Sequence, residues 1–166
     1  KKFKKKYDKE GLVARSGKVD QLILNQALEN FDLDSYYQKS LDTKDFDIFF
    51  AKGLSLENGA STITNFTAKL ITDGINYANS KIKLKNSKWL VCGGGRKNKY
   101  LLESIKHNFK KINLDPIDRY EINGDFIESQ AFAFLAIRSL KGLPISFPST
   151  TRCKESSTGG IIVNNF

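Results

Sequence analysis

The sequence predicts an α/β domain, and three observations carry that expectation. "WLVCGGGRKN" (Trp89 to Asn98) is a short apolar, partly β-branched run followed at once by three glycines, and "NKYLLESIKHNF" after it has helical spacing. Leu56 to Ala78 is a long stretch in which apolar residues recur every three or four positions. The order of segments is helices first, then strand, helix, strand, helix. At 166 residues, 40% of them hydrophobic, the chain can bury one sizeable core, and it reads as a single domain, 1–166, with 1–10 as a basic lead-in.

Taken in order, "GLVARSGKVD" sets two glycines around a short apolar piece. Val19 to Asn30 follows as a helix, with Asp20 near its start and Leu22, Ile23, Gln26 and Ala27 as the inner face. Asn30 to Phe50 is rich in Asp and Tyr, has weak periodicity and reads as a long surface loop. Ser55 caps the longest helix, Leu56 to Ala78, whose inner stripe is Ala60, Ile63, Phe66, Leu70, Ile71, Ile75 and Ala78. Its other face carries Ser61, Thr62, Thr64 and Thr67. Gly59 and Gly74 weaken a helix, which points to close approach of a packed neighbour or of a ligand.

"NSKIKLKNSK" is a polar linker into the strand Trp89 to Cys92, and the next helix runs from Asn98 to Phe109. "IDRYEI" (Ile117 to Ile122) alternates and reads as a second strand. "NGDF" turns into an apolar helix, Phe126 to Leu140, stopped by Gly142 and Pro144. "SFPSTTRCKESSTGG" is a loop, and "IIVNNF" a last short strand.

The net charge is +9, yet the five arginines (Arg15, Arg96, Arg119, Arg138, Arg152) are scattered, and six lysines lie within the first nine residues. Phosphate-binding surfaces add clustered arginine and interleaved aromatics; here the lysines read as a solvated surface. No apolar run is long enough to span a bilayer, and no signal peptide with a hydrophobic middle is present. Two cysteines, Cys92 and Cys153, make neither a disulfide framework nor a metal-ligand spacing, and His107 is the only histidine. A cytoplasmic setting is expected. The chain begins "KKFKKKYDKEG" and contains no methionine, so the interior of a longer protein is expected.

The glycine loop fails two standard tests. A dinucleotide fingerprint needs glycine at Gly93, Gly95 and the position of Asn98, and a P-loop needs Gly-Lys-Ser/Thr where Gly95-Arg96-Lys97-Asn98 stands. Glycines still let a flat ligand lie against the backbone, while Asn98 either caps the following helix or touches that ligand. Glu128 is the second candidate. It projects close to Ala131, Phe132 and Leu135, so its carboxylate is paired, neutral, facing a cleft, or completing a capping box with Asp125. No Ser/His/Asp or Cys/His arrangement is credible: His107 lies in a lysine-flanked helix as solvated surface, and Cys92 reads as a small core residue.

Four pieces in order, "EGLVARSGKVD", "STITNFTAKLI", "WLVCGGGRKN" and "ESQAFAFLAIRSLKGLPISFPSTT", resemble the C-terminal half of the anhydro-N-acetylmuramic acid kinase family. The resemblance implies a ribonuclease H-like domain of the sugar-kinase/actin superfamily, the second of two domains around a cleft. It implies a cytoplasmic enzyme that uses ATP and Mg2+ to open a 1,6-anhydro sugar with water and phosphorylate oxygen 6, in cell-wall recycling. It implies a homodimer. Gly93, Gly94, Gly95 and Asn98 match the loop beside the nucleotide, and Glu128 matches an acid that reaches the sugar. Ser61, Thr62 and Thr64 would face the cleft. The family's "KSTGRE-F" signature is replaced by "KSLDTKDF", Lys39 to Phe46, and the catalytic aspartate and first phosphate loop belong to the N-terminal half, so this chain alone should be inactive. The alternatives are another sugar or acid kinase of the same fold, and a lysine-rich nucleic-acid-binding module.

Overall fold

The structure, a computed structural model, describes residues 7–31, 42–82, 87–110, 112–161 and 163. They group into two compact units, Lys1–Pro116 and Ile117–Phe166, each described by itself below.

In the first unit, α1 (Leu12–Ser16) starts where the Asp8 carboxylate accepts from the backbone N–H of Val13 at 2.8 Å and of Ala14 at 3.0 Å. α2 (Gln21–Glu29) is capped by Asp20, whose side chain accepts from Ile23 N at 3.0 Å. α3 (Leu56–Ile82) begins, as expected, at Ser55, whose Oγ accepts from Asn58 N at 3.2 Å. It takes in Asn79 to Ile82, the start of the expected linker; residues 83–86 lie outside those described.

α3 is the central element because it buries residues on two sides. On one, Phe66 meets Leu24 and Ala27, with Val19, Leu28, Phe31, Phe46, Phe50 and Leu70 packed around them. Phe31 stacks on Phe46 (centroids 5.6 Å apart) and meets Phe66 edge-on (5.9 Å), and Phe50 lies 5.1 Å from Phe66. The expected surface loop is thus partly core. Of its residues, 32–41 lie outside those described, and of the variant signature only Asp42 to Phe46 is seen, as a 3-10 turn over Thr43–Asp45 capped by Asp42. On the other side of α3, Ala68 meets Ile105 and Leu114, with Trp89, Val91, Leu101, Leu102 and Ile112 around them.

That second cluster is roofed by a parallel pair, β1 (Lys88–Val91) and β2 (Asn113–Pro116), registered Lys88 with Asn113 through Val91 with Pro116. α4 (Lys99–Asn108) connects them, making a β-α-β unit.

Several expectations are corrected. β1 ends at Val91, alternates in exposure instead of being buried, and leaves Cys92 exposed just beyond it. "IDRYEI" is not a strand: Ile117–Tyr120 is a 3-10 turn, and Glu121 at φ 61 is incompatible with extended backbone. The second strand lies just upstream. In α2, Leu22 and Gln26 are exposed, and Leu24, Ala27 and Leu28 face the core; "LILNQAL" offers helical stripes in both registers, and packing selects the second. Ile71 also lies toward solvent. Gly74 has open space around it and Gly59 only ordinary contacts, so neither marks a close approach.

In the second unit, α5 (Ile127–Leu140) ends as expected: Gly142 at φ 66 turns the chain, and Leu143 N donates to Arg138 O at 2.8 Å. Arg138 Nε donates to Pro144 O at 2.7 Å, and its guanidinium lies over Phe134 and Phe147. The following loop holds a short helix, α6 (Pro148–Thr151), and an antiparallel bridge between Ser146 and Ser157. Of the expected strand "IIVNNF", Ile161 and Val163 are not in one; Ile162 and residues 164–166 lie outside those described.

Candidate functional site

The glycine loop leaves β1 through Gly93, whose φ 71 and ψ −173 are open in practice only to glycine. Gly94–Lys97 then makes a 3-10 turn, closed by Asn98 N donating to Gly95 O at 3.0 Å. A Cβ built on Gly93, Gly94 or Gly95 would meet nothing within 4 Å. At Gly94 and Gly95, therefore, packing does not require glycine, and the space beside the backbone stays open. Arg96 folds back from the same turn, only 8% exposed, and its Nη1 donates to Gly93 O at 2.8 Å.

Asn98 accepts from Leu101 N at 3.0 Å through its side-chain oxygen. Of its two readings, the capping role accounts for that atom. α4 is then pinned from several directions. Lys99 Nζ lies 2.7 Å from Glu10 Oε2, and Arg15 Nη2 lies 2.7 Å from Glu103 Oε1. The Arg15 guanidinium also sits over the Tyr100 ring. The Tyr100 hydroxyl is 2.9 Å from Ser61 Oγ and accepts from Asn65 Nδ2 at 3.1 Å. Lys99 holds the Glu10 carboxyl below the usual carboxylate range, by its hydrogen bond first and its charge second. The hydrogen bond to Glu103 raises Arg15 further. The loop thus precedes a helix whose position is fixed by contacts from both α3 and the segment around α1.

The hydroxyl face of α3 is corrected. Ser61 and Thr62 are fully buried, and Thr62 Oγ1 donates to Asn58 O at 2.8 Å and accepts from Asp20 N at 3.0 Å. These are packing residues between helices, and neither faces a cleft; Thr64 is half-buried and Thr67 exposed.

Glu128 lies in the first turn of α5 and is exposed, as are Ala131 and Phe132 beside it. The capping box with Asp125 does not form: Phe126 occupies the cap position, without a side-chain cap bond. The carboxylate is a solvent-facing acid at a helix N-terminus, where the dipole favours negative charge. It belongs to the second unit and the glycine loop to the first. His107 is exposed, and Cys92 and Cys153 are free thiols. Among the described residues, no helix is long and apolar enough to cross a membrane, and no three His, Cys, Asp or Glu side chains group as a metal site.

Sequence reasoning missed Arg96 and the Ser61–Tyr100–Asn65 cluster. For Arg96 the available signal was an arginine, in a lysine-rich chain, directly after the third glycine.

The sequence model of one family, described as anhydro-N-acetylmuramic acid kinase, matches residues 1–165. A protein of that name from Pelagibacter ubique is 50% identical over 163 residues, covering 97% of this chain and 44% of the relative. Proteins of the same name from Brucella anthropi and Rhizorhabdus wittichii are 40% and 41% identical, over 94% and 93% of this chain and 41% of each relative. The chain therefore spans less than half the length of these relatives. With nearly every residue inside the family match, and the open triple-glycine loop within it, this chain belongs to the anhydro-N-acetylmuramic acid kinase family.

Proposed function

We propose that this chain is the C-terminal domain of an ATP-dependent kinase that opens 1,6-anhydro-N-acetylmuramic acid with water and phosphorylates its oxygen 6. The observation that carries the reading is the open loop Gly93–Gly95 between β1 and a firmly anchored helix, where the backbone is left bare beside empty space. Such a surface suits a nucleotide lying flat. ATP supplies the phosphoryl group, and the described residues of this chain offer no cage for Mg2+, which would come with the triphosphate. Glu128, an exposed carboxylate, is suited to accept a hydrogen bond from a sugar hydroxyl and so orient the substrate. The catalytic base and the first phosphate loop come from the remaining half. We further place the chain in the ribonuclease H-like fold as one domain, in a cytoplasmic homodimer serving cell-wall recycling.

The test joins this chain, in one polypeptide, to the N-terminal remainder of the Pelagibacter ubique relative and measures ATP-dependent phosphorylation of 1,6-anhydro-N-acetylmuramic acid. Product is expected from the joined protein and not from this chain by itself. Glu128→Ala should lower turnover by at least about tenfold, the scale of one lost charge-assisted hydrogen bond. A folded, ATP-binding protein that makes no product overturns the substrate, and undiminished turnover in the variant overturns the role of Glu128.

Among the described residues, two of the arginines a nucleic-acid surface would use are engaged within the chain: Arg96 is turned inward and Arg15 is paired with Glu103.

A further inference from the structure

We propose that Arg96 is a positioning residue for the nucleotide, orienting the Gly93–Gly94 peptide so that the Gly94 N–H is presented as a hydrogen-bond donor on the open side of the loop. The inference rests on the reading of this loop as the nucleotide site.

A trans peptide is planar, and its C=O and N–H point in opposite directions. The chain has no cis peptide among the described residues, so this holds for the bond between Gly93 and Gly94. The Gly93 oxygen is held by Arg96 twice: by the guanidinium Nη1 at 2.8 Å and by the backbone N–H at 3.4 Å. Arg96 is a buried residue, so the carbonyl it holds is turned toward the protein, and the opposite end of the same peptide, Gly94 N–H, is turned away from it. Gly94 is exposed, and a Cβ there would meet nothing within 4 Å, so the donor has room for a ligand.

Gly93 is the residue that most needs such a hold. Its φ/ψ is reached by glycine at little cost, and glycine also leaves it as easily. A charged donor makes a stronger bond to a carbonyl than a neutral one. A lysine would reach the carbonyl as a strongly hydrated point charge, whereas the planar guanidinium is more weakly hydrated and better suited to burial. The ligand atom that meets Gly94 N–H must be an acceptor that ATP and adenosine share, a base nitrogen or a ribose oxygen.

The experiment uses the joined full-length protein, with binding of ATP and of adenosine measured by calorimetry and Gly94 followed by amide NMR. Arg96→Ala should weaken both ligands by a similar factor, about tenfold, as one charge-assisted bond is lost. Arg96→Lys should recover part of that loss. In the unaltered protein adenosine should shift the Gly94 amide signal, and in Arg96→Ala that shift should shrink while the Leu101 amide, bonded to Asn98, stays in place. A loss confined to ATP would make Arg96 a direct phosphate partner and overturn the proposal, as would unchanged affinities in both variants. Should Arg96→Ala not fold, Arg96→Lys carries the same comparison. If the unaltered protein binds neither ligand, the nucleotide reading fails and this inference fails with it. If Gly94→Val abolishes binding and neither Arg96 variant weakens it, only this inference fails.

Discussion

Glycine stands in this chain for opposite reasons at different positions. A Cβ on Gly17 would run into the backbone carbonyl of Glu57, at the first turn of α3, and Gly11, at φ 75, lies against the side chains of Asn98 and Tyr100. Those two are required by the protein itself, whereas Gly94 and Gly95 are not. Gly17→Ala should therefore destabilise by about 1–3 kcal/mol or more, since rigid backbone must shift. Gly94→Ala should change stability by less than about 0.5 kcal/mol. Urea unfolding of both variants checks the pair, and equal costs would remove the argument that the loop is kept open for a ligand. The sequence made the glycines of the loop visible and their contrast with Gly17 invisible, because the colliding carbonyl is forty residues away in the chain. Arg96 was hidden for a different reason: its carbonyl partner, Gly93 O, is only three residues away, but a charged residue is expected outside and nothing in the sequence turns it back on its own loop.

At the scale of elements, α3 explains most of the differences between expectation and structure. Its period of 3.6 is plain in the sequence, so its existence and its Ser55 start were legible. Its inner face was only half legible, because periodicity assigns one buried stripe and a central helix has more than one. The Phe66 side is apolar and announces itself. The side with Ser61, Ala68 and Thr72 is built of small residues that let α4 and the strands approach, Thr62 is buried toward the start of α2, and the hydroxyls of Thr62 and Thr72 bond to carbonyls one turn back. Thr62→Val keeps the shape and removes the acceptor for Asp20 N. Stability should fall by about 1–3 kcal/mol, the cost of an unsatisfied buried donor, and Thr62→Ser should retain most of it. Matching unfolding midpoints for the two variants would mean that Asp20 N finds another partner. β2 was illegible because four residues, "NLDP", with one buried apolar side chain, carry too little pattern to distinguish from a loop.

For the molecule as a whole, a net charge of +9 makes each carboxylate that meets a lysine count in how stability follows pH. Glu10 ties the segment before α1 to Lys99 at the start of α4, and its carboxyl is held below its ordinary range in the folded chain. A group whose folded pKa is depressed contributes stability above its unfolded pKa and loses it as pH falls through the folded value. The contribution of Glu10 is therefore present at neutral pH, starts to fall near pH ~4.3, where an unperturbed glutamate titrates, and is gone once the folded carboxyl is protonated. Glu10→Gln should lower the melting temperature at pH 7, and the gap from the unaltered chain should close as the pH is lowered until the folded Glu10 carboxyl is protonated. Because the pair is exposed, the gap at pH 7 should also shrink in 1 M salt, where charges are screened beyond about 3 Å. A gap that persists at low pH would assign the effect to side-chain packing. One that closes with acid and ignores salt would assign it to the hydrogen bond, leaving the long-range charge of the lysine-rich surface without a part in holding α1 to α4.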